Sequence, residues 1–363
     1  MNITDLKVIK CLGLGRFGHH ELLAYSSSFS RYRYRLVYID LEKVDDIDKL
    51  YLTVRTNRLM RHENLLPLLN VVLLKSSNAL VFGSPLFVCD CDQLFHVIQK
   101  AALSYLHQQY IIHRAVQLCN ICVTENGHVY LRGLEHCIYQ MNEEKVLRSV
   151  HHMDEFFEEC IPYASPNILL QGGYGYTVNS DLYSVAVVAC ELANGVRMFS
   201  NNCSLIQIFY EKIIGSSIPL LWDRTLIHKL SAKLTSSRED LVFTNCLLHS
   251  DVWLKIARTK KFSSAFHNFI KKCIIANKMH CATHLLNHQF FSKANPRLSD
   301  SLLMILDQFH RLCTKAYVDN NVLCEEPSCC TVEISKRLLQ SDEIKVSELV
   351  TDEVTNDEFV YLK

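Results

Sequence analysis

The 363-residue sequence predicts an α+β fold of two lobes, a small β-rich lobe followed by a larger α-helical one. Three observations carry this. Residues 6–83 read as short strands with one helix among them. Gly83-Ser84-Pro85 is a breaker of the kind found at a hinge between compact units. Beyond it, residues 180–193 form a helical stretch apolar on most sides, which belongs in the middle of a lobe.

Taken in order, residues 6–12 run into a glycine turn, and residues 21–25 and 36–41 alternate like a hairpin. Residues 48–61 place Leu50, Val54 and Leu59 at mixed helical spacing, which predicts a helix. Residues 65–74 and 79–82 read as two more strands, and 93–108 as helical. Residues 121–123 and 129–131 are short strand pieces. The apolar helix at 180–193 ends at Asn194-Gly195, a glycine stop. Residues 262–276 and 282–290 are helical, and residues 312–363 read as a mixed tail with an acidic finish. The expected organisation is a first lobe at 5–83, a second at 84–311, shortened at 92–113, and a tail at 312–363.

Composition narrows the function classes. Hydrophobic residues make up 49% and charged residues 21%, an ordinary globular balance, and the formal net charge is zero. Electrostatics therefore gives no general case for a nucleic acid or a membrane surface as partner. Arg31, Arg33 and Arg35 are interleaved with tyrosines and read as a hairpin strand rather than a polyanion site. Sixteen cysteines form no disulfide framework, and Cys119 with Cys122 makes a single C-x-x-C without a second pair at zinc spacing. Reduced thiols, no signal-peptide pattern at the start and no run of eighteen apolar residues lead us to expect a cytoplasmic or nuclear protein. His280, His284 and His288 would share one helical face, and a structural role outweighs a metal stripe there.

The motifs carry more. Gly13-Leu14-Gly15-Arg16-Phe17-Gly18 is a G-x-G-x-x-G between two strands rather than before a helix, which favours a loop over nucleotide phosphates of the protein kinase type. A tight hairpin is the other reading. Ile112-His113-Arg114-Ala115-Val116-Gln117-Leu118-Cys119-Asn120 resembles the kinase catalytic loop H-R-D-x-x-x-x-N. Leu131-Arg132-Gly133-Leu134 follows where D-F-G stands, Ser165-Pro166-Asn167 where A-P-E stands, and Ser180-Asp181-Leu182-Tyr183-Ser184 resembles the segment opening the central helix. Five signals in order imply a two-lobed protein kinase-like fold.

The same places lack the chemistry. The position of the proton-accepting aspartate is Ala115, and that of the magnesium-holding aspartate is Arg132. The phosphate-pairing lysine aligns to Val37 and its glutamate partner to Thr53, while Asn120 alone survives among the metal ligands. Arg35, on the same strand face as Val37, is either a solvated edge residue or a substitute cation in the cleft. Asn167 replaces the glutamate of A-P-E, and residues 277–281 offer no arginine to pair with such an acid. The paired loss avoids an unpaired buried charge.

In finer detail the sequence resembles the sterile-20-related adaptor pseudokinases (STRAD). Ile39-Asp40-Leu41-Glu42, His62-Glu63-Asn64, Tyr130–Leu134 and Ala189-Cys190-Glu191-Leu192-Ala193-Asn194-Gly195 are similar to that family's segments, as is Leu285–Phe291. The resemblance covers most of residues 5–295. It implies a catalytically inactive adaptor that allosterically activates a serine/threonine kinase of the liver-kinase-B type, together with an armadillo-like scaffold of the calcium-binding-protein-39 family. It implies a client on the face of residues 135–164, where Arg148 and Glu155 are candidate contacts, and the scaffold on the small lobe. The family ends in Trp-Glu-Phe; here the tail carries Asp357-Glu358-Phe359, so Glu358 and Phe359 form an auxiliary anchor or the tail has no role. No cofactor is required on this reading. ATP binding through Gly13, Gly15, Gly18 and Arg35 would be weak or absent, and independent of magnesium. An unconventional active kinase and a nucleotide-gated binding module are the alternatives. The short 92–113 stretch reflects a divergent lobe or a skipped exon.

Overall fold

A computed structural model describes residues 6–14, 20–26, 33–74, 77–90, 101–124, 128–141, 147–148, 150–153, 157–172, 175–199, 204–214, 219–233, 251–275, 285, 288–292 and 343–345. They fall into two compact units. One comprises the described residues up to 88 with 123–124, 128 and 343–345; the other comprises those of 89–122 and 129–298.

The first unit is built on an antiparallel sheet. Strands β1 (Leu6–Leu14), β2 (His20–Ser26), β3 (Arg33–Asp40), β4 (Leu69–Leu74) and β5 (Ala79–Pro85) run in the order β1-β2-β3-β5-β4. A short strand from far along the chain, Glu343–Lys345, lies antiparallel on the outer edge of β4 opposite Leu74, Leu73 and Val72. Helix α1 (Ile47–Leu59) starts where the Asp46 carboxylate accepts from the Lys49 N–H at 2.8 Å. The central strand β3 reads Leu36-Val37-Tyr38-Ile39 because both its faces are covered. Leu36 and Tyr38 pack with Leu22, Leu74 and Val81 on one face. Val37 and Ile39 pack with Leu50 and Val54 of α1 on the other.

Gly83-Ser84-Pro85, read from sequence as a breaker, is part of β5. These residues pair with Leu36, Arg35 and Tyr34 of β3. Gly83 and Ser84 keep their N–H groups, and proline comes last, where the ladder can stop without a lost bond. The strand expected from residue 65 begins at Leu69.

Strand β6 (Phe87–Asp90) runs from the last described residues of the first unit into the second, where helix α2 (Ala101–Gln108) occupies the described part of the helix expected over 93–108. Short strands β7 (Ile111–Ile112), β8 (Ile121–Thr124, of which Val123 and Thr124 belong to the first unit), β9 (Val129–Leu131) and β10 (Ile138–Tyr139) frame the loops of interest. Helices α3 (Phe157–Cys160), α4 (Pro166–Leu170), α5 (Asn179–Asn194), α6 (Leu205–Ile213), α7 (Arg224–Lys233), α8 (Asp251–Thr259), α9 (Ser264–Ile274) and α10 (Gln289–Ser292) follow. The apolar helix expected at 180–193 is α5, buried along nearly all its length and closed by Gly195 at φ 78°, a left-handed cap that favours glycine. Helix α9 packs on α5. Phe266 and Phe269 of α9 stack on Phe290 at 4.6 and 5.3 Å between centroids. His288 has the structural role expected of it, with Nε2 2.9 Å from Asn268 Oδ1; His280 and His284 lie outside the described residues.

Candidate functional site

The loop between β7 and β8 is fixed by one carboxylate. Asp181, in the first turn of α5 and fully buried, accepts from the backbone N–H groups of His113 and Arg114 at 2.8 and 2.9 Å. The ring Nε2 of His107 lies 2.8 Å from the same carboxylate. Burial by itself would raise the Asp181 pKa. The hydrogen bond from His107, the charges of the His107 and His113 rings and the His113 N–H outweigh it and hold the carboxyl below its usual range.

His113 is completely buried, and burial pushes its pKa down to about 4, against the opposing pull of Asp181. It is therefore neutral at physiological pH. Its Nδ1 accepts from the Ala115 N–H at 3.2 Å, and its Nε2 donates to the Arg132 carbonyl at 3.0 Å. This ring thus joins the loop at 113–115 to the loop at 132–134.

At the place of the proton acceptor, Ala115 is 1% exposed and offers only a methyl group. The Asn120 amide donates to the Ala115 carbonyl at 2.8 Å, closing the loop on itself. The Arg132 guanidinium donates from Nε to the Cys119 carbonyl at 3.1 Å, and the Arg132 backbone N–H donates to the Asn120 carbonyl at 2.8 Å. Gly133 adopts φ 95°, and a Cβ there would stand 2.7 Å from the Asn120 amide nitrogen, so only glycine fits. These residues do not fit a magnesium ion. Mg²⁺ takes oxygen ligands, usually with carboxylates among them, and here one position is a cation and the other an amide bonded to the loop. Among the described residues no group of three or more His, Cys, Asp or Glu side chains could hold a metal.

Arg114 holds the stretch that follows. It sits at φ 64°, a conformation uncommon for a non-glycine residue. Its Nε donates to the His136 carbonyl, and its Nη1 donates to the His152 carbonyl at 3.2 Å and lies 3.5 Å from the Tyr176 hydroxyl. Tyr176 also donates to the His152 carbonyl. Arg114, His136, His152, Met153, Cys160, Ala164, Ile168 and Tyr176 enclose a small cavity.

The other sequence-predicted positions fall as follows. Val37 is 2% exposed and packs against α1, so the lysine position is filled with core. Thr53 is half-buried on α1, its carbonyl accepting from the Asn57 amide at 2.8 Å. Arg35 is 8% exposed and its guanidinium engages both oxygens of Glu21, with Nε to Oε2 at 2.8 Å. This corrects the solvated-edge reading, because β3 lies between β2 and β5 and has no free edge. Asn167 is exposed on α4. Arg148 is exposed and its backbone N–H donates to the Gln140 carbonyl at 2.9 Å. Gly13 lies in β1 opposite Glu21. Gly15, Gly18, Glu155, Glu358 and Phe359 lie outside the described residues.

Sequence reasoning missed two features of α6. Ile206, Tyr210 and Ile214 form an exposed apolar row at a spacing of four, the most open of them 81% exposed. On the opposite side Ile208 and Lys212 are buried. The spacing of four in the exposed row is visible in the sequence, whereas the burial of the lysine on the opposite side is not.

Residues 7–291 match the protein kinase domain model. The chain belongs to the protein kinase family. Within it, the chain is similar to the STE20-related kinase adapter protein alpha of Gallus gallus, 33% identical over 215 residues, covering 56% of this chain and 55% of that protein. To the alpha protein of Homo sapiens it is 31% identical over 218 residues, 56% of this chain and 49% of the other. To the beta protein of Homo sapiens it is 30% identical over 215 residues, 56% and 51%. The chain spans about half the length of the curated relatives it matches. The two-lobed kinase-like fold and the resemblance to the sterile-20-related adaptors are thus borne out.

Proposed function

We propose that this kinase-family chain is a catalytically inactive adaptor that binds a partner serine/threonine kinase and activates it allosterically. The observation that supports this best is the catalytic loop. It carries a buried methyl group at Ala115 where phosphotransfer needs a base, and Arg132 is folded onto the Cys119 carbonyl where the reaction needs a metal ligand. Losing a general base costs about 10²–10⁴-fold, and losing the lysine and metal positions removes further stabilisation of the transferring phosphoryl group. The loop is nonetheless held by hydrogen bonds at His113, Arg114, Ala115 and Asn120. A loop maintained in its fold without its chemistry fits a binding role.

On this reading the client is a kinase of the liver-kinase-B type, docked on the face formed by residues 135–164 and the exposed row of α6. An armadillo-like scaffold of the calcium-binding-protein-39 family docks on the first unit, with Glu358 and Phe359 as an auxiliary anchor. No cofactor is needed for this role, and ATP gains little from magnesium because Arg132 repels the cation. Residues 135–164 contain no threonine and only one serine, Ser149, so the segment is set by partners rather than by phosphorylation.

Purified full-length chain with client and scaffold tests this. Retention of the client by the chain, with no phosphotransfer to a generic substrate, is the expected result. Charge reversal at Arg148 and Glu155 lowers client activation, and Phe359→Ala weakens scaffold binding modestly. Autophosphorylation abolished by a substitution in the catalytic loop would overturn the proposal.

A further inference from the structure

Residues 161–164 follow α3 in a turn that joins no sheet ladder, so their carbonyls must find partners elsewhere. All four do. Lys212 Nζ donates to the carbonyls of Ile161 and Ala164 at 2.9 Å and to that of Pro162 at closer range. Ser184 Oγ, on α5, donates to the Tyr163 carbonyl at 2.9 Å. The Tyr163 hydroxyl in turn donates to Glu191 Oε2 at 2.9 Å.

Lys212 is fully buried, with Nζ 4.7 Å from the centre of the Phe199 ring and 5.1 Å from that of Tyr183. An ammonium carries three N–H donors, and three carbonyls meet it here, so donor and acceptor counts match. Burial pushes the Lys212 pKa well below the usual lysine range, and the Glu191 carboxylate pulls the other way. Isolated ammonium groups are seldom buried, because desolvation is costly. One held in a matched set of carbonyls points to a task.

The task is suggested by what the segment lacks. Asn167 carries no carboxylate to form the ion pair expected below it, and Ser149 is the one serine or threonine hydroxyl between residues 135 and 164. We propose that Lys212 is the positioning residue of the partner-facing segment, holding residues 161–164 in a single arrangement by their backbone carbonyls, without a phosphate. The partner-facing role of the segment rests on the adaptor reading above; the clamp itself rests on the contacts of Lys212. Because the bonds go to carbonyls rather than side chains, the clamp fixes the path of the backbone. It also ties α6, which carries the exposed row Ile206, Tyr210 and Ile214, to the segment beside it.

Amide hydrogen exchange on the full chain, wild type against Lys212→Met, is the test, paired with affinity for a purified liver-kinase-B-type kinase. Amides of residues 160–171 should exchange about tenfold faster or more in Lys212→Met while those of α5 keep their protection, and client affinity should fall by about tenfold. Should Lys212→Met fail to fold, Lys212→Gln retains two of the three donors and should show a smaller effect in the same residues. Unchanged exchange at 160–171, or an equal rise throughout α5, overturns the proposal. If the wild type does not bind the client while the exchange pattern appears as expected, the adaptor reading fails and the clamp stands.

Discussion

The Nη1 of Arg114 donates to the carbonyl oxygen of His152 at 3.2 Å, so the arginine of the degenerate catalytic loop is tied to the backbone of a stretch 38 residues further along the chain. Together with its bonds to the His136 carbonyl and the Tyr176 hydroxyl, this makes Arg114 the pin between three separate stretches of chain. Arg114→Lys keeps the charge but loses the planar fork, and is expected to lower unfolding free energy by about 1–3 kcal/mol. Denaturant titration measures this, and tryptic cleavage near residues 148–153 should quicken. A stability equal to wild type would show that the three contacts are dispensable.

Gly133 is constrained twice, by φ 95° and by the Asn120 amide 2.7 Å from where a Cβ would stand. Gly133→Ala must strain the backbone and push Asn120 off the Ala115 carbonyl. A loss of about 2 kcal/mol or more is expected from thermal or urea unfolding.

His113 gives the protein an acid-sensitive joint. Its pKa is about 4 in the folded chain and 6.5 when free, so between these values the unfolded state binds a proton that the folded state refuses. Stability is therefore full above about pH 6.5 and is lost as pH falls toward 4. The loss from this group reaches about 3 kcal/mol. Asp181, held below its usual range, adds a further loss as pH falls lower still. Urea midpoints at several pH values, compared between wild type and His113→Gln, isolate the effect. The variant should show a flatter profile between pH 4 and 6.5.

How much of this was legible in the sequence depends on the range of the interactions. The loop at 113–120 and the opening of α5 could be read because each residue type there serves a backbone task, as Asp181 does by accepting from His113 and Arg114. The end of α5 could be read because Gly195 takes a left-handed cap. The partner of Arg35 could not, since Glu21 meets it only through the β2–β3 register, in which Arg35 faces Leu23. Gly83 and Ser84 looked like a break because composition does not reveal that both sit in a paired strand. Lys212 was invisible for the same reason: its acceptors lie 48 to 51 residues away, and a lysine on a helix ordinarily reads as solvated. The pairing of Glu343–Lys345 with β4 joins residues more than two hundred positions apart and leaves no local signal.

Restoring single catalytic residues should not restore catalysis. Ala115→Asp would place a carboxyl at a site 1% exposed, while the lysine position stays filled by Val37 in the core against Leu50 and Val54. Val37→Lys in turn would bury an ammonium among those side chains and cost about 3 kcal/mol or more. The double variant is expected to be less stable than wild type by denaturant titration and to show no phosphotransfer from ATP to a generic substrate.

The central claim is that this kinase-family chain works through a partner. Its most direct test is the activity of a liver-kinase-B-type kinase co-expressed with the scaffold, measured with and without this chain. The account predicts that client activity rises when the chain is present and rises equally with Arg132→Met, which alters the degenerate loop without supplying chemistry. Client activity that is the same with and without the chain would contradict it.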